Sequence, residues 1–162
     1  MADFLKRTPV LWALFVLQIL IGLGFMVFRE AAGGQLIDMV RSGEGARAVI
    51  AGMTDAQRTA HFWTTVLWDS AYPLAYGGFF MGMALRFFGR FGWIAALPGL
   101  ATIIVDFTEN TVQALALSGT ADYLDVKDWL TPLKYNLALV ASVIALVAVV
   151  IAIVNLIRKK RA

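Results

Sequence analysis

The chain contains no cysteine and a single histidine, His61. The first absence excludes disulfides, thiolate chemistry, cysteine-type zinc sites and iron–sulfur clusters. The second excludes a bis-histidine haem site or a multi-histidine metal site within the chain. No phosphate-cradling loop, nucleophile elbow or metal-ligand spacing is present, so no cofactor and no metal are expected. Charge is scarce too. Charged residues make up 15% of the 162 positions and hydrophobic ones 60%, whereas a soluble domain is about a quarter charged and nearer half apolar. The length suggests one domain, a single transmembrane domain over 1–162. The net charge of +3 comes largely from the tail Arg158-Lys159-Lys160-Arg161. A basic tail after an apolar run reports membrane orientation and headgroup contact, not nucleic acid.

What is present is a set of long apolar runs. Residues 9–28 carry only Gln18 as a strongly polar side chain. At about 1.5 Å per residue this run crosses a hydrocarbon core of roughly 30 Å. A signal peptide would have an apolar region of about 7–15 residues followed by small residues at a cleavage site. This run is longer, and Phe28-Arg29-Glu30 ends it poorly for cleavage, so it reads as span 1. Residues 29–60 form the one long polar region and the extracytoplasmic loop. Leu36, Ile37, Val40 and then Val49, Ile50, Met53 hint at short amphipathic helices lying on the membrane. Thr54-Asp55-Ala56-Gln57 fits a capping box.

Span 2 covers about 61–85, with Asp69, Tyr72, Tyr76 and a kink at Pro73. A basic turn at 86–90 leads into span 3, about 91–117. An acidic loop follows. Thr131 then reads as the N-cap of span 4, about 132–157, with Pro132 at its first position. Lys and Arg concentrate in the short segments on one side. The positive-inside rule therefore puts both termini in the cytoplasm. The expected fold is an all-α integral membrane protein of the cell inner membrane, an antiparallel four-transmembrane-helix bundle.

Polar residues inside these spans need a partner, because hydrocarbon replaces none of their lost water. In span 3 one seam reads Ala95, Gly99, Thr102, Asp106, Glu109, Gln113, Ala116, spaced alternately three and four apart on one helix face. In span 4 it reads Thr131, Lys134, Ala138, Ala141, Ala145, Ala148, Ala152. Small residues let membrane helices approach closely, so the alanine row marks the inward face. In span 2 the seam is Thr65, Asp69, Tyr72, Tyr76, Phe79, Met83, and in span 1 it is Gln18, Gly22, Phe25, Arg29. Asp69 and Glu109 each lie roughly 12 Å inside the outer ends of their spans by helical rise. Asp69, Asp106, Glu109, Lys134 and Arg29 thus converge in the outer half of one bundle. Three readings stay open: a structural ion-pair network, a binding or catalytic pocket, and an ion or proton path.

For a catalytic pocket the chemistry is acid–base. Asp106 or Glu109 is the acid or base, with Asp69 beside them. Lys134 holds a partner ionised, and Tyr72 or Tyr76 orients the substrate. Asn110, Gln113 and Arg29 complete the ligand-binding set. Lesser signals read more plainly. His61 reads as an interfacial side chain. Trp12, Trp63, Trp93 and Trp129 lie near span ends as an aromatic belt, while Trp68 faces lipid or lines a pocket. Gly78-Phe79-Phe80-Met81-Gly82 matches Gly-x-x-x-Gly, which serves internal packing or dimerisation.

In length, span number and outer-half acids the chain resembles lipoprotein signal peptidase, an intramembrane aspartic protease, with Asp69 and Asp106 as the dyad. That family's Gly-Asn-x-x-Asp-Arg and Asn-x-Ala-Asp motifs are missing, and the identity is rejected. The design is similar to the emopamil-binding/sigma-2 fold, where acids inside a helix bundle bind cationic sterol-like ligands, without a shared motif. The pattern Asp69…Asp106-x-x-Glu109-Asn110…Thr131-x-x-Lys134 best resembles small bacterial four-span proteins of unassigned function, over about residues 54–157. That resemblance implies a fold and no activity. The leading expectation is a cavity that binds, or acts by acid–base chemistry on, a lipid- or isoprenoid-like molecule. The alternatives are a non-catalytic assembly subunit and a component of proton-coupled transport. Expected partners are membrane lipids, a lipid-like ligand, and further copies of the chain or a larger membrane complex.

Overall fold

In the computed structural model, which describes residues 2–161, the apolar runs become helices, and no strand occurs among those residues. A short helix α1 (Ala2–Leu5) precedes α2 (Thr8–Ala31). A 3₁₀ turn (Ile37–Met39), α3 (Gly43–Ala51) and α4 (Asp55–Trp63) follow. A π-helical turn (Thr64–Asp69) joins α4 to α5 (Ser70–Phe87). Then come α6 (Gly92–Ser118), a 3₁₀ turn (Leu124–Val126) and α7 (Lys127–Arg161). Three helical stretches, Thr8–Ala31, Gly89–Ser118 and Leu124–Arg161, are long and apolar enough to cross a membrane. The expected second span, 61–85, is not one long apolar helix. It is a helical path whose winding changes at the π turn.

Helix α5 is central: it packs on α6, on α2 and on α7, and α6 packs on α7. Helices α2 and α7 share little contact with each other. Glycines set the close approaches. A Cβ on Gly77 would fall 2.4 Å from Ile103 Cγ1 and 3.3 Å from the Gly99 carbonyl oxygen, so α5 and α6 nearly touch there. On the adjoining face, a Cβ on Gly82 would lie 2.7 Å from Leu11 Cδ2 and from the Leu5 carbonyl oxygen. The Gly-x-x-x-Gly pair therefore serves packing within the chain, against α1 and α2.

The buried faces follow the seams. Helix α6 buries Gly99, Thr102, Asp106, Glu109, Gln113 and Ala116, and α7 buries Thr131, Lys134, Ala141, Ala145 and Ala148. Trp12, Trp63, Trp93 and Trp129 are exposed. Trp68 is not free to face lipid. Its indole Nε1 donates to the Ile21 carbonyl at 2.8 Å, which ties the π turn to α2.

The polar segment 32–53 forms a cap over one end of the bundle. Its apolar side chains do not lie on a membrane surface as expected. Ile37 and Ala46 join Val112, Ala116, Leu117 and Leu124 in one core, with Val40, Val49, Ile50 and Met53 packed against it. The end of α6 offers an apolar platform, so burial there replaces burial in lipid. Ionic contacts fasten the cap. Arg47 bonds Asp122 at 2.6 Å and Asp125 at 2.6 Å. Hydrogen bonding to this guanidinium holds both carboxyls below the usual carboxylate range. Arg58 donates to the Leu117 carbonyl at 2.5 Å and the Ala116 carbonyl at 2.9 Å, closing the end of α6. The Thr54–Gln57 capping box opens α4.

Two readings of single residues are corrected. His61 is buried, not interfacial: its Nδ1 lies 2.9 Å from the Ala32 carbonyl oxygen, and Nε2 accepts from the Ile37 amide at 3.2 Å. That pairing requires the Nδ1–H tautomer and pins the turn that follows α2. Thr131 does not cap span 4, because α7 already begins at Lys127. The 3₁₀ turn at 124–126 starts the winding early and leaves the Thr131 hydroxyl free to point inward.

Candidate functional site

The i, i+3 spacing of Asp106 and Glu109 puts both carboxylates on the inward face of α6. Their surroundings differ. Glu109 is fully buried and held on every side. Its Oε1 accepts from the Lys127 ammonium and, at 2.5 Å, from the Thr131 hydroxyl. Its Oε2 lies 2.8 Å from Lys134 Nζ. Lys127, Thr131 and Lys134 come from successive turns of α7, so the cluster clamps α7 to α6. Glu109 is committed to this scaffold and does not line the cavity described below.

Lys134 extends the network toward the cap. Its ammonium pairs with Asp38, in the 3₁₀ turn pinned by His61, and lies 3.6 Å from Asp106 Oδ1. The other Asp106 oxygen accepts from the Tyr76 hydroxyl at 2.5 Å. Asp69 differs from all of these. It is 6% exposed, yet its side chain makes no hydrogen bond or ion pair with another described residue. It closes the π turn four residues before Pro73. Proline supplies no N–H, and its ring crowds the carbonyl four residues earlier, which here is that of Asp69. A wider turn relieves this crowding, and π turns recur at functional sites.

Asp38, Asp69 and Asp106 each present one carboxylate oxygen within 4.8 Å of the others. They face an open cavity of about 400 Å³ with Tyr72, Tyr76 and Lys134. Gln18, Phe80, Ala138, Leu139 and Ser142 carry its wall away from the cap, between α2 and α7. Helices α2 and α7 are splayed, so the cavity opens sideways. A second cavity of about 400 Å³ lies on the same face, further from the cap. Leu11, Phe15, Phe79, Met83 and Val149 make it almost wholly apolar. An aromatic series joins the two: Tyr72 against Tyr76 at 5.0 Å, Tyr76 against Phe80 at 5.8 Å, and Phe79 against Phe15 at 5.5 Å. Four acids, Asp38, Asp69, Asp106 and Glu109, face two lysines, Lys127 and Lys134.

The structure thus brings together Asp69, Tyr72, Tyr76, Asp106 and Lys134 around the cavity, with Glu109 behind them. Asn110 and Gln113 are buried beside the cluster and do not line the cavity; their amides have no hydrogen-bond partner among the described residues. Arg29 is a correction. It is exposed at the end of α2 and forms no ion pair among the described residues. It shares a face with Gln18 but stands three turns, roughly 16 Å, further along the helix, above the cavity. Asp38 and Lys127 were not among the expected site residues. Asp38 sat in the polar 29–60 segment, read as an extracytoplasmic loop outside the spans. Lys127 had a signal: it continues the α7 seam one turn before Thr131 and Lys134. Comparison with protein-family models, curated proteins and solved structures gave no match to this chain.

Proposed function

We propose that this protein binds an amphipathic molecule, lipid or isoprenoid in type, in a groove between α2 and α7. The polar head lies against Asp38, Asp69, Asp106 and Lys134. The chain-like tail lies along Phe80 and Phe79 into the apolar cavity. One observation carries this reading: an open cavity lined by acids and a second, apolar cavity lie along the same face, where two apolar helices make little contact. Its volume of about 400 Å³ falls in the range of small-molecule sites, about 300–1,000 Å³. A closed and fully paired cluster would instead have suited an assembly subunit.

In this reading the path 55–87 is a fourth crossing, and the chain is an antiparallel four-span bundle of the inner membrane. The cap faces outward and both termini are cytoplasmic, as the positive-inside rule suggests. Reporter fusions after Arg90 and after the last residue are expected to read cytoplasmic. An external C-terminus would overturn the topology.

Native mass spectrometry of the protein released from its source membrane tests the binding itself. A co-purifying amphiphile is expected on the wild type and should be lost from Ala138→Trp, which fills the cavity from α7. No bound species on the wild type, or equal amounts on both proteins, would refute the reading and favour the assembly subunit. Asp69 favours catalysis as a second reading, because it is the one cavity carboxylate without a protein partner and can exchange a proton with a bound head. Deuterium fixed at a carbon of the bound species on incubation in heavy water, and not by Asp69→Asn, would support that step. No such label would leave binding alone.

A further inference from the structure

We propose that Asp38, Asp69 and Asp106 form a site for a hard divalent cation at the acidic end of the groove; this rests on the same cavity as the binding reading. The three carboxylates come from three separate elements, the 3₁₀ turn, the end of the π turn and the middle of α6. Each presents an oxygen within 4.8 Å of the other two. A calcium ion keeps oxygen ligands at about 2.3–2.6 Å, so an ion between the three carboxylates reaches all of them with little movement. Magnesium, at about 2.0–2.1 Å, requires the ligands to draw closer. No short sequence motif marks such a site, because its ligands lie far apart in the chain.

The second observation is what these groups lack. The Asp69 carboxylate is buried, lines the cavity and has no partner among the described residues. Asp106 Oδ1 is also buried without a hydrogen bond, its nearest cation being Lys134 at 3.6 Å. A carboxylate with no partner at Asp69, beside one at Asp106 met only by Lys134 and the Tyr76 hydroxyl, is costly in a low-dielectric site, and a divalent cation offsets that charge. Lys134 does not fill this role. Its ammonium is anchored 2.8 Å from Glu109 Oε2, so cation binding displaces it from Asp38 and from beside Asp106 while Glu109 keeps it paired. His61 holds the Asp38 turn through the Ala32 carbonyl and the Ile37 amide, which presets one ligand. The remaining coordination positions face the cavity. They suit water or the phosphate or carboxylate head of an amphiphile. A bare ammonium head and a proton on Asp69 are the competing ways to remove the same charge.

The test uses the full chain in nanodiscs after treatment with a chelator. Mn²⁺ binding is followed by electron paramagnetic resonance, with Ca²⁺ as competitor. One Mn²⁺ per chain is expected, displaced by Ca²⁺. Asp69→Asn and, separately, Asp38→Asn should weaken it by about tenfold or more. Ca²⁺ should also raise the melting temperature of the wild type and not of Asp69→Asn. Asp38→Asn lies in the cap and keeps the test available if Asp69→Asn does not fold. No saturable Mn²⁺ or Ca²⁺ binding by the wild type, or unchanged binding in a folded variant, would overturn the site. Uptake of dodecylammonium in the presence of chelator, with no metal binding, would also overturn it while leaving the groove reading intact. Metal binding without any co-purifying amphiphile would uphold the site and count against the groove.

Discussion

Lys127→Met is expected to destabilise the protein by about 3–5 kcal/mol, the cost of removing one partner from a buried ion pair. Lys127 and Glu109 are both fully buried, and they join α7 to α6 at the depth of the cluster. Methionine fills similar space, so the loss is electrostatic and not a cavity effect. The variant leaves Glu109 with Lys134 and Thr131 alone. Lys134 is then drawn toward Glu109 and away from Asp38, which loosens the cap turn as well. Equilibrium unfolding in detergent measures the cost. A loss below about 1 kcal/mol would mean that the pair is not the clamp described here. The double variant Lys127→Met/Glu109→Met should recover much of the loss, because a well-packed apolar pair often replaces a buried ion pair at little cost.

Gly77→Leu is expected to cost about 1–3 kcal/mol or more, the range for overpacking a filled core. The first added carbon already falls 2.4 Å from Ile103 Cγ1, and the Gly99 carbonyl oxygen at 3.3 Å belongs to backbone that cannot rotate away. Helices α5 and α6 must part. Tyr76 is the neighbour of Gly77, so its 2.5 Å hydrogen bond to Asp106 is lost with the contact. Gly78→Ala is the control. Its Cβ would meet only the Leu14 side chain, at 3.4 Å and 3.5 Å. Alanine also gains about 1 kcal/mol of helix propensity over glycine. Thermal melts of the two variants should diverge, with Gly77→Leu lowered and Gly78→Ala near or above the wild type. Equal melting temperatures would show that α5 and α6 are not packed as closely as the glycines indicate.

What could be read from the sequence was what periodicity and scarcity control. An apolar run has one way to satisfy its backbone in a membrane without a partner, so long helices were legible from composition. The α6 and α7 seams were legible because a buried polar residue must share a face with small residues or other polar ones. Asp106, Glu109 and Lys134 meet where their spacing puts them, and Lys127 extended the same row. Only the tertiary structure decided which carboxylates are spent and which are free. Glu109 is paired with two lysines because α7 begins winding at Lys127, which no local signal sets apart from a start at Thr131. Asp69 is unpaired because the π turn before Pro73 aims it into the cavity, and hydropathy does not record helical winding. Asp38 reaches the site through a loop folded back by His61, and Arg29 misses it by height along α2. These are contacts between segments far apart in the chain. Their geometry depends on the summed rotation and rise of several helices, which residue types and spacing within any one segment do not specify.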